Sequence, residues 1–163
     1  MSEFPKQYNP KISEEESQKL WKEKNIFAPS DAKETFYIPI PPPNVTGNLH
    51  IGHALTLSLE DIMTRYHRMK GESTLWVPGT DHAGIATQAQ VEKRLEKNGT
   101  SRKALGREKF LEECWKWIDE YGGNIQKQMI RMGASVSWEH ERFTFDTASN
   151  ELVEKIFINL YEK

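Results

Sequence analysis

The chain has 163 residues, 22 Lys and Arg against 24 Asp and Glu, a formal charge of −2 and a mean hydropathy of −0.72. That length suits one domain burying roughly 70% of its unfolded surface; aromatics at 10% with five Trp exclude a disordered chain, while 37% apolar residues predict a thin core. The balanced charge removes the argument for general nucleic-acid binding, so any RNA contact is local, and the single Cys114 excludes an intrachain disulfide and multi-cysteine zinc sites.

No stretch approaches the roughly 18 apolar residues of a membrane span, and residues 1–6 lack the apolar core of a secretory signal, so a cytoplasmic protein with no membrane partner is expected. The first predicted element is a short helix starting at Ser13, with Glu16 completing a capping box, Ile12, Leu20 and Trp21 forming a buried stripe, and Asn25 ending it. Residues 28–34 are a polar connector. Thr35 to Ile40 then reads as a strand opened by Pro39, running into the loop Pro41-Pro42-Pro43-Asn44-Val45-Thr46-Gly47, whose prolines forbid helix and central sheet.

Residues 49–69 carry Ile51, Leu55, Ile62, Tyr66 and Met69 at helical spacing, with Lys70-Gly71 as the stop. Ser73 to Pro78 is a second strand, residues 79–84 a loop and 85–97 another helix. Strand, helix, strand and helix in this order predict an α/β fold built on a parallel βαβ unit. Phe110, Leu111, Cys114, Trp115, Ile118 and Tyr121 give a further helix within 107–132 that Gly122-Gly123 should break or kink, and Leu152, Val153, Ile156, Phe157, Leu160 and Tyr161 a last one. Because the chain stops while that pattern is running, it is expected to be the beginning of a longer protein.

The segment from Asn44 to His53 lies at a strand-to-helix junction, where unpaired backbone N–H groups and the helix dipole favour an anion. His50 and His53 share one face of the first turn, and Gly52 has no side chain to keep a flat ring off the backbone, so the three can hold a nucleotide. An ordinary helix start with a packing glycine has the same pattern. No third ligand at a recognisable spacing supports a metal, and neither common glycine-rich phosphate loop is present. Asp81 follows the second strand at the carboxyl side of the sheet, where it can receive an ammonium group at about 1.5–3 kcal/mol or equally serve as a turn aspartate. Arg65, Arg68, Lys70, Lys93, Arg94, Lys97, Arg102 and Lys103 are interspersed with glutamates and read as a solvated face. Cys114 reads as a small core residue.

Pro41 to Leu55, containing Pro43-Asn44-Val45-Thr46-Gly47-Asn48-Leu49-His50-Ile51-Gly52-His53, resembles the signature region of the valyl-tRNA synthetases, a family of class I aminoacyl-tRNA synthetases. Leu75 to Gln88, with Gly79-Thr80-Asp81-His82-Ala83-Gly84 at its centre, is similar to the same family's second block; isoleucyl and leucyl relatives usually differ at both places. Gly133 to Asp146 resembles a third block, departing from it at Ser137, where aspartate is usual, and at Glu139-His140, where Ser-Arg is usual. The resemblance covers nearly all of this chain but only the beginning of the family's proteins. It implies that residues 1–34 are an N-terminal helical extension and that 35–163 form the first half of a Rossmann-like catalytic domain, cut before the editing domain, with further helices at its C-terminal end.

The resemblance further implies activation of valine by ATP to valyl-adenylate, then transfer to valine tRNA. His50 and His53 would act on phosphate oxygens, with Asn48 and Gly52 in the ATP site and Gly52 under the adenine. Pro41, Pro42, Asn44 and Asp81 would form the valine site, Asp81 on the ammonium. Magnesium would enter with ATP, with no tightly bound cofactor and no metal held by the protein, and the parent enzyme would be monomeric. The family's editing domain answers a limit for which the valyl enzymes are themselves the standard example, since a hydrophobic pocket rejects threonine by only roughly 10²-fold. Two other readings are a non-catalytic truncated module that binds RNA or a protein, and a small adenylyltransferase; the block at 75–88 argues against the second.

Overall fold

The computed structural model describes residues 7–163; residues 1–6, where the sequence lacks a signal-type apolar core, lie outside the described residues. In chain order the elements are α1 (Pro10–Glu23), β1 (Thr35–Pro39), α2 (Ile51–Met69), β2 (Ser73–Val77), β3 (Gly79–Thr80), α3 (Gly84–Lys97), α4 (Arg102–Met132), a single 3₁₀ turn at Trp138–His140, β4 (Arg142–Phe143) and α5 (Thr147–Tyr161). The expected βαβ unit is present: β1 and β2 are joined through α2 and pair in parallel from Thr35 opposite Ser73 to Pro39 opposite Val77. In a second parallel pair, β3 with β4, the first strand lies in a segment expected to be loop and the second where no element was expected. Two residues are too few to give the alternation by which a strand is recognised.

Three expectations need correction. The first helix starts at Pro10, not Ser13: Asn9 caps it by accepting the Lys11 N–H at 3.2 Å, and proline suits a position that needs no donor. Its apolar stripe is not buried, for Ile12 and Leu20 are exposed and only Trp21 is half-covered. Gly122-Gly123 neither breaks nor kinks α4, where Ile125 and Met129 are buried just beyond and tertiary packing outweighs the propensity cost of glycine. The interruption falls instead at Gly106, whose φ of 76° and ψ of 173° are not helical. On α2 the apolar stripe from Ile51 to Met69 is solvent-exposed, and the buried face is Leu57, Glu60 and Thr64.

The main core joins Ile40 and Val45 of the first loop, Leu57 of α2, Trp76 of β2, Ile125 and Met129 of α4, and Ala134 and Val136 beyond it. A smaller core holds α3 on α4 through Val91, Leu95, Phe110, Cys114 and Trp117. Cys114 is thus the expected core residue, and burial pushes its thiol up. Part of the basic face is ion-paired, with Arg94 on Glu120 at 2.7 Å and Arg102 on Glu92 at 3.1 Å. Arg65 and Arg68 do more. Arg65 bonds Asp61 at 2.7 Å and the Gly133 carbonyl at 2.9 Å, Arg68 bonds the Ser135 hydroxyl at 3.1 Å, and Asp61 accepts the Ser135 N–H at 3.0 Å, tying α2 to the segment after α4.

Glu60 is a buried carboxylate between α2 and β2, accepting the Trp76 indole N–H at 3.2 Å. Burial pushes its carboxyl up against the opposing pull of that indole. A folded-state value above the unfolded one means that its contribution to stability falls as pH rises from the unfolded carboxyl range through the folded one. Glu60→Gln keeps an acceptor for Trp76 without the charge. The variant should therefore gain stability relative to wild type between pH 4 and pH 7 in urea titrations; a constant difference across that range would show that Glu60 carries no desolvation cost.

Candidate functional site

The loop after β1 is held from three sides. Asp81 donates its N–H to the Pro43 carbonyl at 2.8 Å and accepts the Val45 N–H at 2.9 Å, making a parallel bridge between Asn44 and Asp81. The Trp117 indole donates to the Val45 carbonyl at 2.7 Å, and the Gln128 side chain accepts the Leu49 N–H at 2.9 Å, both from α4. Val45, fully buried, anchors the loop in the core. Backbone that the prolines exclude from sheet and helix thereby has its polar groups satisfied.

At the start of α2 the two histidines form a capping box. His50 Nδ1 accepts the Gly52 N–H at 3.1 Å, and His53 Nδ1 accepts the His50 N–H at 3.2 Å. In a neutral imidazole the nitrogen that accepts carries no proton, so these partners assign the proton of each ring to Nε2. Both Nε2–H groups are free among the described residues, at a helix end whose dipole favours negative charge. The rings lie 3.9 Å apart, and burial, followed by the charge of His50, pushes His53 down, which favours its neutral form. Gly52 has a use beyond the one expected. A Cβ there would lie 3.0 Å from His50 Cε1 and 3.1 Å from Nδ1, so the glycine makes room for the capping ring itself.

A cleft of about 730 Å³ brings together Pro41, Pro42, Pro43, Asn44, Thr46, Gly47, Asn48, His50, Gly52 and His53. Most of the expected site residues therefore share one cavity, although their positions span a strand end, a loop and a helix. Leu49 and Val45 turn inward against the core instead, and Ile51 is exposed. A larger hollow of about 910 Å³ between α3 and the start of α4 contains none of these residues. Asp81 is not part of the cleft wall, but its backbone is bridged to Asn44, which is.

Both expected uses of Asp81 bear on its geometry. Oδ1 accepts the Ala83 N–H at 2.9 Å, an Asx turn, and the Thr144 hydroxyl at 2.9 Å; it does not cap α3, whose N-cap Ala83 has no side-chain partner. Ala83 itself has a φ of +51°, an uncommon conformation for a residue with a Cβ and one that strained sites retain. Oδ2 has no hydrogen bond among the described residues and remains able to accept one.

Sequence reasoning missed Thr144, His82, Trp117 and Gln128. Thr144 comes from the third motif block, and its hydroxyl also meets His82, through the backbone N–H at 3.0 Å and Nδ1 at 2.6 Å. Trp117 and Gln128 belong to a helix whose pattern gave no sign that it reaches the first loop. Two of the three departures in the third block fall on one contact, the buried Ser137 hydroxyl lying 2.9 Å from His140 Nδ1, while Glu139 accepts the Asn25 side-chain amide at 3.0 Å. Among the described residues no three His, Cys, Asp or Glu side chains converge as a metal site, and no helix is long and apolar enough to cross a membrane.

Comparison with known proteins places this geometry in a family. The model of the tRNA synthetases class I (I, L, M and V) matches residues 16–163. The chain is 51% identical to the valine–tRNA ligase of Treponema denticola, over 99% of this chain and 18% of that protein. It is 50% identical to the valine–tRNA ligase of Thermotoga maritima, over 100% of this chain and 19% of that protein. Among solved structures, the ternary complex of Agrobacterium radiobacter K84 agnB2 LeuRS-tRNA-LeuAMS aligns with a TM-score of 0.77 at 25% identity, over 96% of this chain and 18% of that one. The chain thus spans about a fifth of the length of the curated relatives it matches. With the family model matching residues 16–163 and about half identity to its relatives across nearly the whole chain, the chain belongs to the class I tRNA synthetases of the I, L, M and V group.

Proposed function

We propose that this chain is the ATP- and valine-binding N-terminal part of a valine–tRNA ligase, with residues 35–163 as the first half of its nucleotide-binding domain and 1–34 as an extension ahead of it. The observation that carries this reading is the Asn44–Asp81 backbone bridge, which fixes an acidic loop beside a cleft that ends in two imidazole donors. The similarity to valine–tRNA ligases at about half identity supports valine over other amino acids.

In the reaction the valine carboxylate oxygen attacks the α-phosphorus of ATP and the bond to the pyrophosphate oxygen breaks, giving valyl-adenylate and pyrophosphate. No enzyme nucleophile is needed; such chemistry rests on positioning and on donors that meet the spreading charge. His50 and His53 supply those donors through Nε2–H, while Asn48 and Gly52 line the nucleotide side. Pro41, Pro42 and Asn44 wall the amino-acid side, rigid because proline has little freedom to lose. Asp81 Oδ2 accepts the valine ammonium. Magnesium arrives on the phosphate oxygens of ATP as part of the substrate, and the acceptor is valine tRNA, reached through the rest of a cytoplasmic, monomeric enzyme.

A chimera tests the reading directly. With residues 1–163 replacing the matching part of the Thermotoga maritima valine–tRNA ligase, valine-dependent ATP–pyrophosphate exchange should persist. It should fall by about 10²–10³ in His50→Ala, the usual loss for one transition-state donor, and Asp81→Ala should raise KM for valine. In the isolated chain, saturation-transfer NMR should detect ATP, and His53→Ala should weaken that signal; ATP binding indifferent to His53 would favour the non-catalytic module instead. Gly52→Ala adds only a methyl group, yet it crowds the His50 ring, which must give by a few tenths of an ångström, so it should weaken ATP binding in the same direction as His50→Ala but by less.

A further inference from the structure

Thr144 stands 63 positions from Asp81 in sequence, yet it is where the third motif block reaches the acidic loop. Its delivery is built into the backbone. Arg142 donates to the Pro78 carbonyl at 3.0 Å and Thr144 to the Thr80 carbonyl at 3.1 Å, so β4 runs alongside β3 to the edge of the Asp81 turn. The approach is close enough that a Cβ on Gly79 would meet the Arg142 carbonyl oxygen at 2.7 Å, which only glycine permits. Two rings flank His82 at this exposed position: the Phe145 ring lies 4.9 Å from the His82 ring at 33°, and Phe143 meets it edge-on at 6.3 Å.

The hydroxyl of Thr144 has one proton and three partners, which leaves one consistent assignment. Asp81 Oδ1, 2.9 Å away, is an acceptor and must receive that proton. The His82 backbone N–H, at 3.0 Å, donates to the hydroxyl oxygen. The His82 ring, at 2.6 Å, must then donate as well, so Nδ1 carries the imidazole proton and Nε2 is left bare in the neutral ring. With the Ala83 N–H also on Oδ1, that oxygen is fully used, and the carboxylate is oriented with only Oδ2 available.

We propose that Thr144 is a positioning residue of the amino-acid site: its hydroxyl clamps Oδ1 of Asp81 and the Nδ1 edge of His82, so that Oδ2 is presented to the α-ammonium of the substrate. This rests on the reading of Asp81 given above. Thr144 does not touch the substrate; it acts through Asp81. Without the hydroxyl Oδ1 keeps the Ala83 N–H at 2.9 Å and a long 3.4 Å contact with His82 Nδ1, so the carboxylate is held less firmly and the His82 ring loses its short 2.6 Å partner.

Two measurements on the 163-residue chain decide it. Long-range ¹⁵N–¹H spectra should find His82 protonated on Nδ1 in wild type, shifted toward Nε2–H in Thr144→Val and restored in Thr144→Ser, with circular dichroism confirming that each variant folds; Nε2–H in wild type overturns the clamp. Calorimetry then compares the non-hydrolysable sulfamoyl analogue of valyl-adenylate with its 3-methylbutanoyl counterpart, which lacks the ammonium. Thr144→Val should weaken the first by roughly ten- to a hundredfold, the factor carried by a charge-assisted hydrogen bond, and leave the second unchanged. Equal loss on both analogues means a merely structural threonine and overturns the inference. If wild type binds neither analogue, the isolated chain, about a fifth of the length of its relatives, does not hold the adenylate by itself; the imidazole spectrum still decides whether the clamp exists, and the same calorimetry in the chimera tests the valine reading.

Discussion

Asp81 exchanges two backbone hydrogen bonds with the proline-rich loop, its N–H to Pro43 and its carbonyl from Val45, and the rest of the site takes its position from that pair. On one side the bridge fixes Asn44 and the cleft that runs on to the histidines. On the other it continues through Gly79 and Thr80 into β4, which carries Thr144. Three segments far apart in the chain thus lie side by side as short parallel backbone, and each brings one motif. A proline-rich loop has few donors of its own, so it is the neighbouring strand end that makes this arrangement rigid.

Helix ends supply the chemistry and helix bodies supply the support. His50 and His53 satisfy the first N–H groups of α2 and, in doing so, turn both remaining ring protons outward. The cap and the candidate phosphate donors are therefore the same atoms' two edges. Behind them α4 contributes the Trp117 and Gln128 bonds to Val45 and Leu49, and the Asp61, Arg65 and Arg68 network ties α2 to the turn that follows α4. Shifts in α4 would reach the cleft through these contacts, because packed helices move as units more readily than they deform.

Acidic groups in the molecule divide by environment. Glu60 is buried with one indole donor and pays for its desolvation with a raised pKa. Asp146, at the start of α5, is instead held down by the Ser149 backbone N–H, so it stays charged where it caps the helix. Asp81 lies between these cases, half-covered, with one oxygen committed and the other open. That division of its two oxygens suits recognition of a cation better than a fully paired or fully solvated carboxylate would.

The sequence by itself determined the order and type of the long elements, because periodicity of 3.6 in α2, α3 and α4 and the Pro and Gly punctuation around residues 39–47 and 70–71 are local properties. It also located the motif residues, and most of those share one cleft. Tertiary structure alone decided that α2 buries Leu57, Glu60 and Thr64 while its apolar stripe faces outward and that α4 continues through Gly122-Gly123, whereas the Asn9 cap of α1, followed by Pro10, is a local signal. Only tertiary structure brought Thr144 and His82 to Asp81, since a two-residue strand has no period to read and a contact between segments more than sixty residues apart is set by packing.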